Sequence, residues 1–144
     1  MKIIIIEDEA AAYKNIKNLL LQIDPHIEIL DHFDTVVDSV TWLRSHPMPD
    51  LIFMDIQLAD GNSFNIFECV IIEVPIIFTT AYDQYAIKAF EVNSVDYLLK
   101  PITLESMRKA LDKYNRLNPV TVRQHISRIC LLYTSPSPRD STSS

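Results

Sequence analysis

Residues 51–61 read LIFMDIQLADG, four apolar side chains in a row that stop at Asp55. A strand with one face in water alternates apolar and polar residues. An unbroken apolar run therefore belongs to a strand covered on both faces, as in a parallel sheet with helices above and below. Working outward, IIII at 3–6 and IIF at 76–78 repeat the pattern and are expected beside it in the centre of the sheet. IEIL at 27–30 alternates and YLL at 97–99 is short, which suits the two edges. The strands are thus expected at Lys2 to Ile6, Ile27 to Asp31, Leu51 to Met54, Ile76 to Thr79 and Tyr97 to Leu99, in one five-stranded sheet.

Amphipathic stretches separate these runs. Ala12, Ile16, Leu19 and Ile23 recur at spacings of four, three and four, the period of one helix face. Val36, Val40 and Leu43 mark a second helix, Phe64, Phe67 and Ile71 a third, and Tyr82, Ala86 and Ala89 a fourth. Leu104, Met107, Leu111 and Tyr114 mark a fifth. Thr103 is placed to cap it, and Glu105 lies in the first turn, where a negative charge suits the helix dipole. The alternation predicts an α/β fold with right-handed crossovers.

Composition removes several function classes. The 144 residues include one glycine, Gly61, where average usage would give roughly ten. Glycine-rich nucleotide loops are therefore excluded. The formal charge of −6 opposes an electrostatic footprint for nucleic acid. Cys69 and Cys130 lie far apart with no partner motif, so neither a zinc site nor a disulfide framework is indicated, and His26, His32, His46 and His125 show no metal-ligand spacing. No stretch approaches ~18 apolar residues, and EDE at 7–9 cuts the first apolar run short of a signal-peptide core. A cytoplasmic protein with no membrane contact is expected. After Asn118 the chain turns polar and ends TSPSPRDSTSS, a composition that cannot bury enough apolar surface to order itself. The expected organisation is one domain over 1–118, then a truncated linker and a disordered or non-native tail over 119–144.

In an open parallel sheet, ligands bind beyond the carboxyl ends of the strands. There the first strand runs into Glu7 and Asp8, the third into Asp55, the fourth into Thr79 and Thr80, and the fifth into Lys100 and Pro101. Each alone has a plain explanation: a solvated helix start, a turn-forming aspartate, an exposed lysine, threonines that favour strands. Together, three carboxylates, a hydroxyl and an ammonium converge on one edge. Clustered carboxylates raise each other's pKa unless a cation neutralises them, and an all-oxygen set with waters suits Mg²⁺ better than a calcium cage. One carboxylate is then free to attack a phosphoryl group, with Lys100, Thr80 and the metal sharing its oxygens. Asp55, at the end of a central strand, is the best nucleophile.

The chain resembles the receiver domains of two-component response regulators, through EDE after the first strand, LIFMDIQLADG, IIFTTAYD and DYLLKP. The resemblance covers residues 2 to about 117, and FTTAYDQYAIKAFEVNSVDYLLKPI is most similar to receivers joined to a LytTR-type DNA-binding domain. It implies a flavodoxin-like doubly wound sheet, order 2-1-3-4-5, with five flanking helices. It further implies that Asp55 accepts a phosphoryl group from a sensor histidine kinase, and that Asp8, Asp55 and the backbone carbonyl of Gln57 ligate Mg²⁺ with Glu7 beside them. Thr80 and Tyr97 would be the switch residues, Lys100 the phosphoryl partner, and the Lys100–Pro101 bond cis. The implied output is a two-state shift read on the face of the fourth helix, fifth strand and fifth helix, often by homodimerisation, in a signalling domain that is not an enzyme. DNA would be bound only through an output domain that residues 119–144 do not supply; a stand-alone receiver acting through protein contacts is the alternative. Ala59 stands where the family's turn carries proline, which is expected to loosen that loop. A haloacid-dehalogenase-like phosphatase is disfavoured because Ile56 and Gln57 follow Asp55 where that class has Asp-x-Asp. A flavin carrier of the same fold would need a phosphate loop in place of EDEAAA.

Overall fold

A computed structural model describes residues 1–81 and 96–116. Five parallel strands, β1 (Lys2–Ile6), β2 (Glu28–Phe33), β3 (Leu51–Asp55), β6 (Ile76–Thr80) and β7 (Asp96–Leu99), form one sheet in the order β2-β1-β3-β6-β7. This is the expected 2-1-3-4-5 arrangement, because β4 (Gln57–Leu58) and β5 (Gly61–Asn62) make a separate antiparallel hairpin after β3. Gly61 turns that hairpin at φ +139°, a conformation that side-chain-bearing residues rarely adopt.

The aliphatic runs are explained by burial on two sides. Ile4, Ile6, Ile52, Met54 and Phe78 point into a core shared with Val40 and Leu43 of α2 (Val36–Ser45) and Ile66 and Phe67 of α3 (Ile66–Cys69). Their neighbours Ile3, Ile5, Leu51, Phe53 and Ile77 point the other way, against Ile16 and Leu20 of α1 (Ala10–Ile23) and Met107, Ala110 and Leu111 of α4 (Leu104–Arg116). Thr103 caps α4, its Oγ1 accepting from the Ser106 N–H at 3.1 Å, with Glu105 in the first turn.

Four α-helices flank the sheet among the described residues. The fourth expected stripe (Tyr82, Ala86, Ala89), the boundary at 118 and the segment 119–144 lie outside them. The third stripe needs correction. Phe64 sits in a 3₁₀ turn (Ser63–Asn65), α3 lasts only to Cys69, and Ile71 is 80% exposed while Ile72 enters the core. Val70 adopts extended backbone (φ −140°, ψ 137°), which ends the helical period and reverses the facing of the next two residues. In α1, Leu20 rather than Leu19 is fully buried, since the run LLL at 19–21 leaves the stripe's centre ambiguous. No helix among the described residues is long and apolar enough to cross a membrane.

Candidate functional site

The carboxyl ends of β1, β3 and β7 meet at one crevice. Asp55, the last residue of β3, is 6% exposed and stands level with Thr79 of β6. Ile56 continues the pairing by donating its N–H to the Thr79 carbonyl at 3.1 Å, which fixes the strand end from which Asp55 projects. Glu7 follows β1 and is fully buried; its backbone N–H donates to the Phe33 carbonyl at 2.8 Å and its Oε2 accepts from the Glu9 N–H at 3.0 Å. Asp8, next to it, is exposed. Carboxylate oxygens of Glu7, Asp8 and Asp55 lie within 4.8 Å of one another.

Lys100 reaches this trio from beyond β7. Its N–H donates to the Thr80 carbonyl at 2.8 Å, and its bond to Pro101 is cis. The ammonium Nζ stands 2.8 Å from Glu7 Oε1, 3.0 Å from Glu9 Oε1 and 3.1 Å from Asp55 Oδ2. One cation thus faces three carboxylates. Burial pushes Glu7 up from 4.5 to about 7, against the lowering influence of Lys100 and the Glu9 amide, and Asp55 adds repulsion. Burial acts on Lys100 in the opposite sense, but Glu7, Glu9 and Asp55 together outweigh it and hold the ammonium above the ordinary lysine range.

The donor set fits a hard divalent cation. It offers only oxygens, and its three carboxylates carry more negative charge than Lys100 balances. Gln57 lies two residues past Asp55, in β4, with an exposed side chain. The loop beyond it carries Ala59 and Asp60. Asp60 accepts from the N–H groups of Val36 and Val37 at 2.7 and 3.2 Å, which anchors the loop on the start of α2.

Thr80 ends β6 at 1% exposure, one residue beyond the partner of Asp55. The β6–β7 register pairs Phe78 with Tyr97 and Thr80 with Leu99, so side-chain alternation puts Thr80 and Tyr97 on one sheet face. Tyr97 is half-buried and packs against the α2/α3 core. Two participants escape a reading of the sequence. Glu9 adds a third partner to Lys100, and only its place in EDE hints at this. His32 sets its Nε2 3.0 Å from the Glu7 carbonyl oxygen, a contact between residues 25 apart with no spacing signal.

Comparison with known proteins adds lineage to this geometry. A family model described as the response regulator receiver domain matches residues 3–112. The sensory transduction protein LytT of Bacillus anthracis is 40% identical over 119 residues, covering 81% of this chain and 48% of that protein. The crystal structure of the response regulatory domain of protein mrkE from Klebsiella pneumoniae is similar at 32% identity and a TM-score of 0.65, over 80% of this chain and 95% of that one. The N-terminal domain of a response regulator/sensory box/GGDEF 3-domain protein from Carboxydothermus hydrogenoformans follows at 28% identity and a TM-score of 0.70, over 85% and 99%. The chain spans about half the length of the curated relatives it matches.

Proposed function

Because the chain belongs to the response regulator receiver domain family, we propose that Asp55 accepts a phosphoryl group from the phosphohistidine of a sensor kinase and that the modified domain switches an output. The observation that carries this reading is the buried Asp55 carboxylate held 3.1 Å from Lys100 within reach of Glu7 and Asp8. An Asp55 oxygen attacks phosphorus, the P–N bond breaks, and its electron pair leaves with the kinase imidazole, which takes up a proton. The product is an acyl phosphate. A Mg²⁺ ion held by Asp8, Asp55 and the Gln57 carbonyl, with Glu7 behind them, would supply charge neutralisation for the transferring oxygens.

The chain's own residues do the rest. Lys100 orients the Asp55 carboxylate and then turns its charge to a phosphoryl oxygen. Thr80 donates its hydroxyl to another, and that movement frees room into which Tyr97 turns on their common sheet face, a population shift between two states. Residues 1–118 form the receiver unit, and the segment beyond is linker and tail. From the resemblance of residues 78–102 to receivers joined to a LytTR-type DNA-binding domain, we assign the whole protein a DNA-binding output, regulated through homodimerisation on the face of the fourth expected helix, β7 and α4. The chain itself acts as a phosphoacceptor in the cytoplasm rather than as an enzyme with a turnover substrate.

Incubation with acetyl phosphate and Mg²⁺ should add one phosphoryl group, read by intact mass, and chelation of the metal should prevent it. Asp55→Asn should abolish the gain. Modification of Asp55→Asn at the wild-type rate would show that the nucleophile lies elsewhere.

A further inference from the structure

We propose that His32 is a positioning residue for the metal site, acting on Glu7 through the backbone rather than touching the ion. This rests on the reading of Glu7, Asp8 and Asp55 as a Mg²⁺ site. A carbonyl oxygen only accepts, so His32 must carry its proton on Nε2 and donate it to the Glu7 carbonyl, 3.0 Å away. On its other side, Glu7 donates its N–H to the Phe33 carbonyl at 2.8 Å. Both backbone polar groups of Glu7 are therefore gripped by the end of β2.

The ring that makes this bond is itself immobilised. It stacks on Tyr13 with centroids 3.8 Å apart and planes 11° from parallel. Tyr13 in turn donates its N–H to the Glu9 carbonyl at 3.0 Å, and the Glu9 N–H donates to Glu7 Oε2 at 3.0 Å. These contacts close a circuit from Glu7 through Glu9, Tyr13 and His32 back to Glu7, with Asp8 carried between two of its members. A turn left to itself would let the Glu7 and Asp8 carboxylates spread under mutual repulsion. The circuit holds them at the spacing a hard cation requires, as hydrogen-bonded neighbours of metal ligands generally do.

The test is the Mg²⁺ dissociation constant, measured by calorimetric titration of the folded chain with MgCl₂. His32→Phe keeps a ring to stack on Tyr13 and loses only the N–H; it should weaken Mg²⁺ binding about 10-fold, the lower range for loss of an outer partner at a metal site. His32→Gln, whose amide can donate to the same carbonyl although it does not stack on Tyr13, should recover part of that loss. A merely structural histidine would lower the urea midpoint of both variants and leave the dissociation constant alone. Unchanged affinity in His32→Phe, or equal weakening in both variants, would overturn the inference while the site reading stands. Absence of Mg²⁺ binding by the wild type would overturn both.

Discussion

Two aspartates bracket β3, Asp50 before its first residue and Asp55 as its last, and they live in opposite surroundings. Asp50 is exposed, and its polar groups are met by neighbouring chain: Oδ2 accepts from the Lys2 N–H at 2.7 Å, its own N–H donates to the Lys2 carbonyl at 2.8 Å, and its carbonyl accepts from the Tyr114 hydroxyl at 3.4 Å. Asp55 is buried among like charges, with Lys100 as its cationic partner. At the amino edge a carboxylate finishes the sheet. At the carboxyl edge it is crowded by other carboxylates that share a single ammonium. The first arrangement is a tie between strands, the second a site, and the difference lies in burial and charge crowding rather than in the aspartate.

Removing the cation should expose that difference most strongly. Lys100→Met leaves Glu7, Glu9 and Asp55 facing one another, and stripping one partner from a buried charge cluster costs about 3 to 5 kcal/mol. Urea unfolding of the metal-free variant at pH 8 should show a loss of that order, and a smaller one at pH 5, where Glu7 is protonated. Equal losses at the two pH values would mean that Lys100 acts through packing instead of charge.

The pH profile of the unsubstituted chain sharpens the same point. The folded state holds the Glu7 proton up to about 7, whereas an unfolded glutamate releases it near 4.5. Raised affinity for the proton is stability present below the unfolded value and lost as pH climbs through the folded one. Metal-free stability should therefore fall between about pH 4.5 and 7, by up to about 3 kcal/mol, since each tenfold gain in proton affinity is worth about 1.4 kcal/mol. Burial pushes Asp96 up as well, so its contribution has the same sign. Glu7→Gln isolates the larger part: its profile should be flatter, and saturating Mg²⁺ should flatten the wild type. A slope unchanged in Glu7→Gln would assign the effect to another group.

Most of this frame can be read from the chain because it is written in local runs. IIII, LIFM and IIF announce strands buried on both faces, and the residues that terminate them, Glu7, Asp8, Asp55 and Thr80, need only the rule that ligands gather at carboxyl ends. What stays hidden depends on contacts across the sequence. The third helix stops at Cys69 although Ile71 fits its period, because extended backbone at Val70 lets Ile72 fill the core, a tertiary preference that outweighs a short pattern. His32 is silent in the sequence because nothing near it is a ligand; its importance comes from the parallel pairing that sets β2 beside the end of β1. Asp60 likewise carries no signal in the sequence, because it anchors the start of α2 from 24 residues away.

The smallest expected effect tests the other half of the comparison. Asp50→Ala removes the acceptor for the Lys2 N–H and leaves the backbone bond between the same two residues in place. Because that N–H is exposed, water replaces the lost partner, and the cost should be about 1 kcal/mol, within the range for one hydrogen bond. No carboxylate of the acidic trio is disturbed, since Asp50 sits at the far end of a rigid strand whose other side chains, Leu51 to Met54, are fully buried. The rate of modification by acetyl phosphate and the affinity for Mg²⁺ should therefore match the wild type. Should Asp50→Ala slow modification while costing only this much stability, the two ends of β3 would be coupled, and the division between a tie at one edge and a site at the other would fail.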